Sequence, residues 1–231
     1  MTEWLFPSRC PVCFRPVMPK GRMLHEACER KLQVLTEPLC MRCGKPLQTA
    51  EEEYCPSCMI GQGDWDMGRS VYLYRGAAGK AIRKIKEEGT EEFVRFFGKQ
   101  MMKSQRRFLS EIRAECIVPV PLHKSKRLKR GFNQAELLAG ALAKELGIPV
   151  RNLLIKNKKT KDQKQLTLEQ RKKNLKDVYR VQKGQCPEDM PETVLLLDDI
   201  ITTGSTLSAC AAALKAAGVK KVYFLTVCSG E

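Results

Sequence analysis

The sequence predicts an α/β fold, a mostly parallel sheet flanked by helices, preceded by a small metal-binding module. Three observations carry this. From Arg69 onward, short β-rich runs alternate with longer helical segments, the pattern of a parallel sheet covered by helices. Seven of the 11 cysteines crowd into residues 10–58 in CxxC-type spacing. The run VLLLDDIITTGST at 194–206 sets two carboxylates and a hydroxyl-rich turn at the end of an apolar stretch.

The N-terminal module comes first. Candidate ligands fall at Cys10, Cys13, His25 and Cys28, and 30 residues later at Cys40, Cys43, Cys55 and Cys58. The surroundings repeat as well, Arg15-Pro16-Val17 matching Lys45-Pro46-Leu47, so residues 1–60 read as a duplicated ribbon. A CxxC turn aims two sulfurs at one point, and the 11-residue excursion lets a second pair return to close a tetrahedron. Thiolate and imidazole donors suit zinc. Four protein ligands leave no open position for water or substrate, so both sites are expected to be structural. For His25 the alternative is a solvent-facing histidine beside an incomplete site. Sequential and crossed pairing of the two sets both fit the spacing. Residues 29–36 read as a short helix, and 61–68, with two Asp and three Gly, as a linker.

The α/β domain, 69–231, then reads as a strand at 70–74, helices at 78–87 and 91–109, and a strand at 116–120. A helix at 134–146, a strand at 194–197, a helix at 205–217 and a strand at 221–227 complete it. Cys116, Cys210 and Cys228 fall on these elements as small core residues. In open parallel sheets, ligands bind beyond the carboxyl ends of strands.

The end of the 194–197 strand offers such a site. Thr202, Thr203, Gly204, Ser205 and Thr206 supply hydroxyls and a permissive glycine where a helix begins. Free backbone N–H groups and the helix dipole there favour a phosphate. Asp198 and Asp199 repel that phosphate and want hydroxyls or a metal, so a ribose 5-phosphate satisfies both features. The alternative, a strand followed by ordinary Asp and Ser caps, accounts for one acidic residue but not the run. A second strand end, IVPVPLHKSKRLKRGFNQA at 117–135, cannot extend its ladder past Pro119 and Pro121, so the chain turns out at Leu122 and His123.

Net charge is +15 and is concentrated. Residues 124–131 hold five basic and no acidic residues, and residues 151–183 hold twelve basic and three acidic, leaving the rest of the chain nearly neutral. A localised basic surface of this kind suits a polyanion; a solvated lysine-rich loop is the alternative. The candidates for nucleic-acid contact are Lys124, Lys126, Arg127, Lys129, Arg130, Lys156, Lys158, Lys159 and Lys161. Phe132 is the candidate for stacking on a base, or else covers the following helix. No apolar stretch approaches the length of a membrane span, and the N-terminus lacks a secretory pattern, so a soluble cytoplasmic protein without membrane insertion is expected.

The 194–206 run resembles the PRPP (phosphoribosyl pyrophosphate) motif of type I phosphoribosyltransferases. With the cysteine ribbons, PVPLH, RGFNQAELLA, T-x-x-Q-x-x-L and a later R-x-x-N, the whole chain resembles the ComF family. The pattern falls on Arg130, Gly131, Phe132, Asn133 and Gln134, then on Thr160, Gln163, Leu166, Arg171 and Asn174, and on Asp198 to Thr206. His25 departs from the family's usual cysteine, and Lys156 and Lys158 from arginines, which weakens bidentate phosphate gripping there. The resemblance implies a phosphoribosyltransferase-like sheet behind a double zinc ribbon. It implies ribose hydroxyls held by Asp198 and Asp199, and pyrophosphate, arriving with Mg2+, contacted by Leu122, His123 and Lys124. It further implies a role in natural transformation, handling single-stranded DNA with a competence helicase and a recombination mediator. An active transferase of unknown acceptor and a PRPP-sensing binding module are the alternatives. The ribbons, nearly neutral, suit a protein partner better than DNA.

Overall fold

The computed structural model describes residues 8–18, 21–61, 63–157, 178–182 and 189–230. Its centre is a four-stranded, all-parallel sheet. In chain order, strand β1 (Met67–Leu73) is followed by helices α3 (Gly76–Glu88), α4 (Glu91–Ser104) and α5 (Arg106–Ile112), the short α1 (Glu26–Glu29) and α2 (Pro56–Met59) lying in the N-terminal module. Strand β2 (Cys116–Pro119), helices α6 (Lys124–Arg130) and α7 (Gln134–Leu146) and the hairpin β3 (Leu154–Lys156) and β4 (Tyr179–Val181) come next. Strand β5 (Thr193–Ile201), helix α8 (Ser205–Ala216) and strand β6 (Lys221–Ser229) complete the chain. The spatial order is β1-β6-β5-β2.

The continuous apolar runs of β5 and β6 follow from burial on both faces. Leu195, Leu197, Leu225 and Val227 share one core with Ile82 and Ile85 of α3, Phe97 of α4 and Leu138 and Leu142 of α7. Their neighbours Val194, Leu196, Val222 and Phe224 point the other way, into a core with Leu207, Cys210 and Leu214 of α8 and with Leu154 and Tyr179 of the hairpin. Cys116, Cys210 and Cys228 are all buried, as expected.

The duplication of the N-terminal module is visible in its backbone. Cys10 N donates to Arg15 O at 2.8 Å and Cys40 N to Lys45 O at 2.7 Å, while Arg9 bridges Pro16 and Leu39 bridges Pro46. Phe14 and Gly44, at equivalent positions, both take positive φ.

Several elements differ from expectation. Residues 29–36 are not a helix; α1 ends at Glu29, residues 30–32 turn, and Gln33 to Leu35 extend along the edge of the sheet. Leu35 N donates to Val71 O and Leu73 N to Gln33 O, so β1 rather than a helical ladder satisfies this backbone. The 61–68 stretch is not a free linker: Trp65 is buried and meets Phe224 edge-on, and Met67 and Gly68 already belong to β1. The expected helix at 91–109 breaks at Gln105, whose side chain reaches back to Ser70 O. The basic stretch at 124–130, to which the sequence pattern assigns no element, is the helix α6, and β3 and β4 are likewise additional to it. At the far edge, Ile117 N donates to Pro149 O and Arg151 N to Ile117 O, closing that side of the sheet.

Candidate functional site

Two clusters in the N-terminal module bring four ligand atoms each within 4.8 Å of one another: Cys10, Cys13, His25 and Cys28, and Cys40, Cys43, Cys55 and Cys58. The pairing is therefore sequential rather than crossed. His25 Nε2 lies 2.9 Å from Pro16 O, a carbonyl that can only accept, so Nε2 carries the proton and Nδ1 keeps its lone pair. Nδ1 sits 3.3 Å from Cys13 Sγ, among the ligands. Burial raises the Cys10 thiol, but backbone N–H donors outweigh it and bring it down to about 6; the same balance brings Cys40 down to about 7. Burial and the neighbouring sulfurs push Cys28 up to about 11. Three thiols beside an imidazole, or four thiols, this close cannot all ionise without a cation among them, so both donor sets fit zinc, whose charge would hold them as thiolates.

The second constellation forms at the end of β5. The strand does not stop at Leu197, as expected, but continues to Ile201, with Asp198 opposite Thr226 on β6. Adjacent strand residues face opposite sides, yet the two carboxylates stay close enough to interact directly. Asp199 is buried on the α3 and α7 side, where Lys86 Nζ lies 2.5 Å from Oδ2 and Gln134 Nε2 donates to Oδ1 at 3.3 Å. Burial disfavours the Lys86 ammonium, but the Asp199 carboxylate outweighs this and holds its proton more firmly than usual. Asp198 faces the hairpin side. Burial and the adjacent Asp199 charge raise its carboxyl well above the ordinary value.

Beyond β5, Thr202 and Thr203 are exposed, Gly204 takes φ 76° and α8 begins. Gly204 offers no side-chain cap, the first turn of α8 contains no acidic residue, and Thr203 Oγ1 lies 2.8 Å from Ser205 Oγ. Tyr179, on β4, stands beside Thr206; burial raises its phenol, and the Thr206 hydroxyl opposes that. Lys156 lies 5.1 Å over the Tyr179 ring. Burial lowers the Lys156 ammonium, and Lys126 of α6 adds to this, so one described lysine from each basic window lies within electrostatic reach of the other.

The parallel pairing of Pro119 with Leu197 carries the chain out of β2 beside the aspartates, at Leu122, His123 and Lys124. His123 Nδ1 accepts from Ser125 N at 3.2 Å and caps α6. On α6, Lys124, Lys126 and Lys129 are exposed, whereas Arg127 pairs with Glu136 at 2.6 Å and Arg130 donates to Gln134. Phe132 is half-buried and lies against Gly89. Asn133 Nδ2 donates to Val120 O at 3.0 Å and its Oδ1 accepts from Ala135 N, fastening the end of β2 to the start of α7. Lys158, Lys159 and Lys161, with Thr160, Gln163, Leu166, Arg171 and Asn174, lie outside the described residues.

Lys86 was missed. Its signal was a lysine inside the apolar stripe Ala78, Ile82, Ile85, where helical spacing puts the core face. The bond from Gln134 to Asp199 left no trace in the sequence beyond the motif itself.

Fold and clusters together define a phosphoribosyltransferase-type domain carrying a double zinc ribbon. Residues 1–59 match the double zinc ribbon domain family and residues 133–231 the phosphoribosyl transferase domain family. The chain is 30% identical over 223 residues to competence protein F of Haemophilus influenzae, an alignment covering 94% of this chain and 95% of that one. It is 27% identical over 187 residues to competence protein ComFC of Bacillus subtilis, covering 78% and 73% of the two chains. It is 26% identical over 226 residues to DNA utilization protein YhgH of Escherichia coli K12, covering 96% and 97%. The chain belongs to the ComF family of competence proteins.

Proposed function

We propose that this protein binds PRPP at the end of β5 and single-stranded DNA across its basic windows, and assists the handling of incoming DNA in natural transformation. The competence and DNA-utilization names of its relatives support that setting. One observation carries the ligand: Asp198 lies among the last four residues of β5, beside the point where β2 ends and the chain leaves toward Leu122 to Lys124, and β5 leads on to a helix start whose N-cap, Gly204, has no side chain. In this reading Thr202, Thr203, Gly204, Ser205 and Thr206 hold the 5-phosphate, and the 122–124 loop holds the pyrophosphate with its Mg2+. Asp198 accepts from the ribose hydroxyls. Asp199, occupied by Lys86 and Gln134, supports the strand end and reaches the ribose only if that pairing loosens.

For DNA, Lys124, Lys126 and Lys129 offer exposed point charges, and Lys156 adds one beside Asp198. Arg127 and Arg130, tied to α7, contribute less; Lys158, Lys159 and Lys161 belong to the same window by sequence. The chain would work in the cytoplasm alongside a competence helicase and a recombination mediator. No helix among the described residues is long and apolar enough to cross a membrane. The proposed division is a metal module at 1–60, a connector at 61–68 whose last two residues open β1, and the transferase-like domain at 69–231.

Calorimetric titration of the zinc-loaded protein with PRPP and Mg2+ tests the ligand. Saturable binding lost in Asp198→Ala supports it; binding unaffected by Asp198→Ala sinks it. Pyrophosphate release with a panel of bases, with and without single-stranded DNA, then separates a working transferase from a PRPP-sensing module.

A further inference from the structure

The two metal clusters do not occupy equivalent places in the fold. Cys10 and Cys28 join the core on the α4 face, where Phe14 stacks on Phe93 at 5.7 Å. Cys40, Cys43, Cys55 and Cys58 join the opposite core, the one that contains α8. There, Cys43, Cys55, Cys58 and Trp65 line a single small cleft together with Ile201 and Thr203. The second cluster is therefore one wall of a space whose other wall is the loop after β5.

Trp65 is the contact between the walls. It is buried, its indole meets Phe224 edge-on with ring centres 5.1 Å apart, and its Nε1 has no hydrogen-bond partner among the described residues. A Cβ at Gly204 would lie 2.6 Å from Trp65 Cη2, so the indole rests directly on the backbone that starts α8. Its neighbours fasten it in place. Asp64 accepts from Ser208 of α8, and Asp66 accepts from Val222 N at 2.9 Å and pairs with Lys215 at 3.0 Å. On the metal side, Arg42, between Cys40 and Cys43, donates to Gly63 O at 2.7 Å, and its own carbonyl accepts from Gly68 N at 2.7 Å. The metal-binding turn, Arg42, Gly63, Trp65 and Gly204 thus form an unbroken series of contacts.

We propose that Trp65 is a positioning residue for the phosphate loop, seated by the second metal cluster, so that zinc at Cys40, Cys43, Cys55 and Cys58 and a phosphate ester at Thr202 to Thr206 strengthen each other's binding. This rests on the reading of that loop as the PRPP site. The physical ground is packing: moving the indole disturbs Gly204, where left-handed φ and close contact leave little room. Loss of the metal frees the turn that anchors Gly63. Linkage then makes the effect reciprocal, because a free-energy coupling between two sites acts equally on both ligands. The first cluster, on the other face, is the internal control.

The test uses the full chain. With Trp4→Phe, Trp65 is the remaining one of the two tryptophans, and its emission should change saturably as PRPP and Mg2+ are added. Zinc release from the wild type to a chromogenic chelator should show two phases, assigned with His25→Ala. PRPP should slow the phase of the second cluster about fivefold or more and leave the first unchanged. Trp65→Leu should abolish the selective slowing and weaken PRPP binding by a similar factor. If PRPP binds but slows neither phase, or slows both alike, the coupling is overturned and the PRPP reading stands. If PRPP does not bind the zinc-loaded wild type, both fall. Should Trp65→Leu fail to fold, the release rates of the wild type decide.

Discussion

Lys86 Nζ lies 2.5 Å from Asp199 Oδ2, a cation from α3 set against the second carboxylate of β5. The side chains are 26% and 4% exposed, so each charge depends on the other for solvation. Removing one partner of such a pair leaves an uncompensated charge inside the protein. Lys86→Met should lower unfolding free energy by about 3 kcal/mol, and adding Asp199→Asn should recover much of it. Denaturant titration of the singles and the double gives the coupling; strict additivity would deny the pair.

Asp198 sets a pH dependence. Its carboxyl is raised by burial and by Asp199, yet only the ionised form attracts Mg2+ and makes the stronger, charge-assisted bonds to ribose hydroxyls. PRPP binding should therefore tighten as pH rises through that raised value, and Asp198→Asn should flatten the profile. The stability effect has the opposite sense. A carboxyl held protonated by the fold favours the native state at low pH, an advantage lost as pH rises past the ordinary value of 3.8 and through the raised one. Thermal melts of the wild type and Asp198→Asn should converge at acid pH and separate above it.

Zinc stoichiometry tests the N-terminal module. The wild type should carry two ions by elemental analysis, one per four-ligand cluster. His25→Ala should drop the content toward one, because three thiols cannot close the first tetrahedron. His25→Cys should restore it. Retention of two ions in His25→Ala would remove histidine from the ligand set.

Single-stranded DNA affinity should fall steeply with salt. Replacing Lys124, Lys126 and Lys129 together by Gln should reduce the slope of log affinity against log salt by about 2. A slope unchanged by those three substitutions would place the DNA elsewhere.

What could be read in the chain, and what could not, divides along physical lines. Helix α7 was legible to the residue because its core positions, Leu138, Ala139 and Leu142, recur at helical spacing between Asn133, which caps it, and Gly147, which ends it. Helix α6 was not, since none of its residues is buried and Leu128 is 84% exposed, so it has no apolar face to announce it. The aspartates were visible as chemistry, but their opposite orientations depend on β5 continuing to Ile201 against β6, a tertiary pairing. His25 showed as a spacing, and only the fold brings its Nδ1 to Cys13. Residues 33–35 misled because Leu32 and Leu35 suit a helix and a sheet edge equally well.

That edge segment has a consequence for taking the molecule apart. A parallel sheet left open at its outer strand presents a row of bare amides and carbonyls on which another chain can add itself. Here the metal module lays its own backbone along β1, Val34 opposite Tyr72, and so shields the sheet from its own kind. A chain beginning at residue 69 would lose this guard along with Trp65 and part of β1. It should aggregate on expression rather than fold as a smaller domain. The ribbons are in that sense the sheet's missing neighbour, and neither module is a detachable accessory of the other.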